Sequence, residues 1–173
     1  MPSPSKNKGS AWEREVARDL TELYKESFIR APGSGAYVGG TNSGRKQYLH
    51  EGQIRSFKGD IVPGESFPLF NAECKSYKEF PFHRLLLGEP IPLFEDWIGQ
   101  TLDAADEEDF NIIIMKFNYV GKFIATEHRH NLGTTNFVEY HSKNTNTTWR
   151  ITGYNHFWQE NSEKVRTLCA PTK

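Results

Sequence analysis

The sequence predicts an α/β fold in which helices flank a central mixed β-sheet. Apolar residues recur at helical spacing in two segments, and a nearly unbroken apolar run of strand length covers residues 110–117. Turn-forming residues separate several shorter extended segments. Helices and strands that alternate in this way give a layered domain, and a length of 173 residues suits a single one.

The first helix is predicted from Ser10 to about Ser27, after a disordered tail over residues 1–8. Apolar side chains follow one another at steps of four, four and three residues: Trp12, Val16, Leu20 and Leu23. Ser10 and Glu13 have the spacing of a capping box, in which the two residues satisfy the first free N–H groups of a helix.

The next part of the chain is predicted as short strands around a long loop. Phe28–Arg30 is a strand candidate, and a glycine-rich, basic loop follows at 35–58. Two extended segments, 59–62 and 67–75, are separated by a sequence of turn composition, so we expect them to pair as a hairpin.

The second half begins with a proline-rich, irregular segment over 80–92, followed by a helix over 93–109. Residues 110–117 form a strand that is apolar throughout, which indicates a central position with both faces buried. Residues 121–126 are expected to pair with it. The remainder, 128–173, is predicted to be a β-rich extension of the same domain.

The composition excludes several classes of protein. No apolar run approaches the 18 or so residues of a membrane span, and the first residues lack the apolar core of a signal peptide. The two cysteines, Cys74 and Cys169, form no closely spaced pair, which fits a reducing compartment. We therefore expect a cytoplasmic protein with no membrane partner.

The net charge of −1 hides an uneven distribution. Residues 1–59 carry ten Lys and Arg against six Asp and Glu, and residues 128–173 carry six against three, whereas residues 60–127 carry five against thirteen. Carboxylates clustered at a metal site between DNA-facing surfaces would give this pattern. Alternatively, residues 103–109 are a solvated helix face. They hold five of the carboxylates, which would explain over half of the excess negative charge in residues 60–127.

Asp60, Glu73 and Lys75 form the most informative group of residues. Glu73 and Lys75 project from the same face of a strand, and a neighbouring strand brings Asp60 alongside. Carboxylate oxygens select Mg²⁺ or Mn²⁺, and a lysine beside the metal orients or deprotonates an attacking water. The group thus predicts phosphodiester hydrolysis. The alternative is an exposed strand with an ordinary Glu–Lys pair.

Gly59-Asp60 together with Glu73-Cys74-Lys75 resembles the PD-(D/E)xK nuclease signature. Three further segments are similar to the archaeal-type Holliday junction resolvases, which viruses also encode: Gly9-Ser10-Ala11-Trp12-Glu13-Arg14-Glu15, Arg30-Ala31-Pro32-Gly33-Ser34, and Met115 to Ile124. The resemblance spans residues 9–127 in the right order. It implies a restriction-endonuclease-like core from a virus or phage. It also implies a homodimer that resolves four-way DNA junctions by paired cuts. The cofactor would be Mg²⁺, for which Mn²⁺ substitutes, with no small-molecule cofactor.

The resemblance also implies roles for individual residues. Glu13, Asp60 and Glu73 would be the metal ligands, and Lys75 the catalytic lysine. The Cys74 backbone carbonyl, not its thiol, would also face the metal. For Glu13 the capping box remains the alternative role.

Contacts with DNA are expected from one end of the first helix and from the loop. Arg30 and Ser34 would contact phosphate near the scissile bond, and Arg14 would contact the backbone or support the fold. The interval from Ser34 to Asp60 is longer than the family's usual connection. It is expected to act as a basic arm whose cations touch phosphates, namely Arg45, Lys46, Arg55 and Lys58.

Two other functions remain open at this stage. One is a viral or restriction-like endonuclease or nickase that acts on duplex or other branched DNA. The other is an architectural DNA-binding module with structural carboxylates.

The histidines and Cys169 match no usual zinc-ligand spacing. Gln100, one turn past Trp97, is either a further site residue or a solvated helix residue.

Overall fold

The computed structural model describes residues 4–32 and 58–171, with side chains from residue 8 onward. Four α-helices and seven β-strands make up the described parts. The helices are α1 (Pro4–Tyr24), α2 (Phe82–Leu87), α3 (Pro92–Asp103) and α4 (Tyr154–Cys169). The strands are β1 (Ile29–Arg30), β2 (Ile61–Val62), β3 (Phe70–Tyr77), β4 (Phe110–Phe117), β5 (Gly121–Glu127), β6 (Phe137–Ser142) and β7 (Thr147–Gly153).

Five of the strands form one mixed sheet, in the order β3-β4-β5-β7-β6. β3 and β4 run parallel, and the remaining neighbours are antiparallel. β1 and β2 form a separate antiparallel ribbon. The predicted mixed sheet with helices on its faces is confirmed, and so is the pairing of residues 121–126 with the apolar strand 110–117.

β4 divides the hydrophobic core into two layers. Alternate side chains of a strand point to opposite faces. Ile112 and Ile114 therefore pack on one side of the sheet, and Ile113 and Met115 on the other, all of them buried. A strand buried on both faces needs no polar alternation, which explains its continuous apolar sequence.

Helices α1 and α4 cover the first face. Trp12, Val16 and Leu20 of α1 lie against β3 and β4, and the Trp12 indole N–H donates to the Ile114 carbonyl at 3.1 Å. Phe157 and Val165 of α4 complete this layer. The predicted β-rich character of 128–173 is thus wrong for its last third, which is helical.

Helix α3 covers the second face with Phe94, Trp97 and Ile98. Its first turn also holds the buried Glu95, which accepts hydrogen bonds from the Tyr140 hydroxyl at 2.6 Å and the Ser142 hydroxyl at 2.5 Å. No helix in the described parts of the chain is long and apolar enough to span a bilayer.

The structure corrects the predicted start of the first helix. α1 begins at Pro4, so the expected tail is helical from that residue, and residues 1–3 lie outside the described parts. Ser10 and Glu13 are then interior positions of the helix. The capping-box role of Glu13 is excluded, because only the first turn has free N–H groups.

The predicted hairpin of 59–62 with 67–75 is also wrong. β2 pairs with β1, and β3 pairs with the distant β4. The chain between β2 and β3 passes through Pro63 and folds back so that the fully buried Phe67 joins the aromatic core. Since proline has no N–H to donate, it favours the end of β2 at Val62.

The second long helix is shorter than predicted. α3 ends at Asp103, and the segment 80–92, expected to be irregular, contains α2. Asp109 is 1% exposed instead of lying on a solvated helix face, while Asp103, Glu107 and Glu108 are exposed. The solvated-face explanation of the acidic segment therefore fails at Asp109.

Candidate active site

The backbone of Asp60 connects the β1–β2 ribbon to the edge of the main sheet. The Ala31 N–H donates to the Asp60 carbonyl at 2.8 Å, and the Asp60 N–H donates to the Ala72 carbonyl at 2.8 Å. The Cys74 N–H, on the free edge of β3, donates to Asp60 Oδ2 at 2.8 Å. The carboxylate is thereby fixed at the middle of β3.

Gly59 allows this close approach. Its φ of +66° lies in the left-handed region, and an added Cβ would stand 2.6 Å from the Ala72 carbonyl oxygen. Both the backbone conformation and the space thus require glycine directly before Asp60.

Glu73 and Lys75 project from the same face of β3, as predicted from their spacing. Lys75 Nζ lies 2.6 Å from Glu73 Oε1 and 2.6 Å from Gln100 Oε1 on α3. The two charged side chains are only 14% and 13% exposed, so their ion pair is largely shielded from water. Gln100 is therefore a contact of the candidate catalytic lysine, not a purely solvated helix residue.

Glu13 of α1 reaches the site from the other side. Its carboxylate forms an ion pair with the Arg30 guanidinium, and it is close enough to Asp60 to act on that carboxyl electrostatically. The helix, the ribbon and strand β3 thus bring together all four residues expected to carry the chemistry.

The electrostatics of the site are those of crowded carboxylates. Burial and the negative charges of Glu73 and Glu13 together raise the pKa of Asp60 to about 7, against the opposing effects of the Cys74 hydrogen bond and the charge of Lys75. Burial also raises the pKa of the Cys74 thiol well above its ordinary value. That thiol points into the hydrophobic core and is not a ligand at this site.

Among the described residues, no three Asp, Glu, His or Cys side chains are already arranged as a metal-binding cluster. Glu13 and Glu73 are instead held by Arg30 and Lys75. The donor set nevertheless fits a hard divalent cation, because it consists of carboxylate oxygens whose mutual repulsion such a cation relieves.

Lys58 differs from the expectation that it touches phosphate. Its side chain is 7% exposed and turned inward, where it pairs with Asp109 and with Asp106, the latter at 2.9 Å. A lysine in the interior is found almost only with such partners, because burial of an unpaired ammonium is costly. Lys58 therefore anchors the chain two residues before Asp60.

Of the other expected DNA contacts, two lie in the described parts. Arg14 is exposed on α1, and Arg30 is partly exposed while it pairs with Glu13. The remaining four, Ser34, Arg45, Lys46 and Arg55, lie outside the described residues.

Sequence reasoning missed a pair of lysines beside the site. Lys116 of β4 and Lys122 of β5 are opposite each other in register, and both contact the Glu15 carboxylate, at 2.7 and 2.6 Å. Both ammonium groups also lie within 5.5 Å of the Trp12 ring centroid. Burial by itself would raise the pKa of Glu15, but the hydrogen bonds from the two lysines lower it below its ordinary value. The pairing across two strands could have been found from the predicted β4–β5 register.

This arrangement defines a class of protein. The mixed sheet between helices is the fold of a restriction-endonuclease-like PD-(D/E)xK nuclease. An Asp directly before a short strand, a Glu-x-Lys on the next strand and a helix carboxylate are the candidate site residues at its edge.

Comparison with protein families gives the same class. Residues 4–168 match the sequence profile of a family described as "Phage putative PDDEXK endonuclease". The match covers nearly the whole chain, and the chain belongs to this family. No curated protein and no solved structure matches it significantly.

Proposed function

We propose that this chain is a Mg²⁺-dependent endonuclease that cuts branched DNA and resolves four-way junctions. The observation that carries the proposal is the convergence of Glu13, Asp60, Glu73 and Lys75 at one edge of the sheet, with the Asp60 pKa raised by burial and by its acidic neighbours. PD-(D/E)xK nucleases generally use divalent metals, and the choice of Mg²⁺, with Mn²⁺ as a substitute, rests on the all-oxygen donor set.

Glu13, Asp60 and Glu73 would hold the cation through their side chains, and Cys74 through its backbone carbonyl. A divalent cation in such a site supplies Lewis acidity and lowers the pKa of bound water. Lys75, placed between Glu73 and Gln100, would donate a hydrogen bond to the attacking water or to the developing negative charge on phosphorus-bound oxygen.

The cation and the paired basic residues compete for the same carboxylates. Arg30 pairs with Glu13, and Lys75 pairs with Glu73. A cation held by these oxygens would leave both basic groups available to phosphate, which agrees with the expected DNA contact of Arg30. Arg14 would add a contact from α1. Ser34, Arg45, Lys46 and Arg55 remain proposed contacts from outside the described residues.

Resolution of a four-way junction requires two symmetric cuts, which a two-fold homodimer supplies. Leu86 and Leu87 of α2 are 81% and 66% exposed. They lie beside an apolar groove whose lining includes Phe82, Leu85 and Phe137, the last itself 45% exposed. Large apolar side chains clustered at a surface favour burial against a second copy, and we propose this face as the dimer contact.

A second candidate keeps the chemistry and changes the substrate. The family is described as a phage endonuclease without mention of junctions, which fits an endonuclease or nickase of duplex or other branched DNA equally well. In either case the proposed place of action is the cytoplasm of the host cell. A non-catalytic architectural module is the third possibility that an experiment must exclude.

The test is cleavage of a labelled immobile four-way junction beside a linear duplex with the same arm sequences, in Mg²⁺, in Mn²⁺ and in EDTA. Asp60→Asn and Lys75→Met would be compared with Asp103→Asn, a matched control at an exposed position. Paired nicks on the junction alone, lost in EDTA and in both site variants, support resolution. Equal cleavage of both substrates supports the second candidate, and binding without any cleavage contradicts nuclease activity.

A further inference from the structure

The turn between β4 and β5 holds an aromatic ring entirely in solvent. Tyr119 is fully exposed, and the following Val120 is 58% exposed. The ring is fully solvated in this structure, although aromatic side chains contribute most to stability when they are buried.

The backbone of the turn keeps the ring in that position. Tyr119 has a φ of +58°, in the left-handed region that bulky residues seldom adopt. The Val120 N–H donates to the Phe117 carbonyl at 3.2 Å and closes the turn. Asparagine adopts this conformation most readily among the non-glycine residues, yet Asn118 precedes the strained position and tyrosine occupies it. Strained conformations of this kind concentrate at functional positions.

The turn lies at the end of the sheet toward which β3 runs, and the candidate active site lies at the middle of β3. β3 and β4 are parallel, with Glu73 opposite Ile113 and Tyr77 opposite Phe117. The Asn118 N–H extends this pairing by donating to the Tyr77 carbonyl at 3.2 Å. Four residues of strand separate Glu73 from the start of the turn, about 13 Å along the sheet. A nucleic acid bound across the active site would pass within reach of Tyr119.

Two partly exposed lysines flank the turn along the chain. Lys116 and Lys122 are opposite each other, one residue further from the turn than the last strand pair, Phe117 and Gly121, and 38% and 36% of their side chains are exposed. They share a single carboxylate, that of Glu15, so the group carries one positive charge in excess. Exposed aromatic rings and cations on one surface are the combination that proteins use to bind single-stranded nucleic acid, since a ring stacks on a base and cations contact phosphates.

We propose that the β4–β5 turn is a base-stacking contact, with Tyr119 placed against an unpaired nucleobase at a branch point of the DNA. This inference rests on the proposed function and identifies what selects branched DNA. Bases inside a continuous duplex are stacked on both faces and offer no free surface, whereas a branch point exposes one. The turn would therefore add affinity for branched DNA and none for an uninterrupted duplex.

The test compares two substitutions at Tyr119. Tyr119→Asn removes the ring and keeps a residue that tolerates positive φ, so the turn is preserved. Tyr119→Phe keeps the ring and removes the hydroxyl. Leu23→Ala, at an exposed apolar residue near the end of α1, is the matched control. Binding would be measured in EDTA, to prevent cleavage, with a four-way junction that carries 2-aminopurine at the branch point and with a duplex of matching arms.

We expect Tyr119→Asn to weaken binding to the junction by about tenfold, in line with the usual effect of losing one base stack. The same variant should bind the duplex as wild type does, and it should not cause the change in 2-aminopurine fluorescence that the wild-type protein causes. Tyr119→Phe and Leu23→Ala should behave as wild type. Unchanged junction binding by Tyr119→Asn would overturn the proposal, and so would an equal loss on both DNAs. Failure of the wild-type protein to bind either DNA would instead overturn the proposed function.

Discussion

Lys58 and Asp109 form a buried ion pair that joins the chain just before Asp60 to the start of β4. The side chains are 7% and 2% exposed, and Asp109 also accepts a hydrogen bond from the Asp106 N–H at 2.6 Å. Asp60, the candidate catalytic aspartate, is thus positioned both by the ion pair before it in the chain and by the hydrogen bonds of its own backbone.

Replacement of Lys58 by methionine should destabilise the fold and displace Asp60. It leaves Asp109 as an uncompensated buried charge, which costs on the order of 3–5 kcal/mol. Urea unfolding measures the loss. The double variant Lys58→Met/Asp109→Leu should recover much of it, because no buried charge is then left unpaired. No recovery in the double variant would contradict the ion-pair account.

Substitution of Gly59 by alanine tests the close approach of the ribbon to β3. The new Cβ would meet a backbone oxygen at 2.6 Å, so Asp60 must move away from the Cys74 N–H. We expect stability to fall by about 1–3 kcal/mol and cleavage to fall by at least tenfold. Gly88 also has a positive φ, but it has open space around it. Gly88→Ala is therefore the control for the cost of the positive φ without a steric clash, and it should retain cleavage.

Asp60 makes the stability of the metal-free protein depend on pH. Burial and the charges of Glu73 and Glu13 raise its pKa from an ordinary 3.8 to about 7 in the folded state. Between these values the folded protein retains a proton that the unfolded chain releases, so stability falls as the pH rises. In EDTA, Asp60→Asn should have a higher Tm than wild type at pH 8, with a smaller difference at pH 5.

The control for this pH series is Asp103→Asn, whose exposed side chain should give the same Tm difference at both pH values. If wild type and Asp60→Asn have parallel Tm profiles from pH 5 to 8, the electrostatic description of the site is incorrect.

Removal of the Gln100 side chain should weaken catalysis without changing the fold. Its amide oxygen is one of two groups that hold Lys75 Nζ, at 2.6 Å. In Gln100→Ala the lysine keeps only Glu73 as a partner, and we expect kcat to drop by about tenfold while KM changes little. Steady-state cleavage under saturating Mg²⁺ measures both. A rise in KM without a change in kcat would instead place Gln100 in substrate binding.

The proposed dimer face predicts a change in molecular mass. Leu86→Glu together with Leu87→Glu places two charges on the apolar surface of α2, which should convert the dimer into a monomer. Sedimentation equilibrium reports the mass, and nicking of single junction strands should persist while paired cuts are lost. A wild-type protein that is already monomeric at micromolar concentration would contradict the proposal.

Local patterns predicted some elements well and others poorly. β4 was predicted over the same residues as the structure shows, because a continuously apolar run of eight residues has few other solutions. The last helix was not predicted. Its buried stripe runs through Phe157, Asn161, Val165 and Cys169, and the asparagine, which donates to the Gly133 carbonyl at 3.0 Å, interrupts the apolar period.

In the candidate site too, local relationships could be predicted from the sequence and long-range ones could not. Glu73 and Lys75 share a face because they are two residues apart on one strand, which the sequence alone specifies. The partner of β2 and the inward direction of Lys58 depend on residues far along the chain, namely Ile29–Arg30 and Asp109. Long-range pairings of this kind have no local signal, so a basic loop predicted a surface lysine where the fold has a buried one.

The hydrogen bond from Ala31 to Asp60 has an evolutionary consequence. It brings together the two points at which the chain leaves the ribbon and returns to it, so the fold is closed whatever lies between them. The entropy cost of closing a loop rises only slowly with its length. Descendants of this gene could therefore lengthen, shorten or exchange the intervening segment while Asp60 keeps its position beside β3.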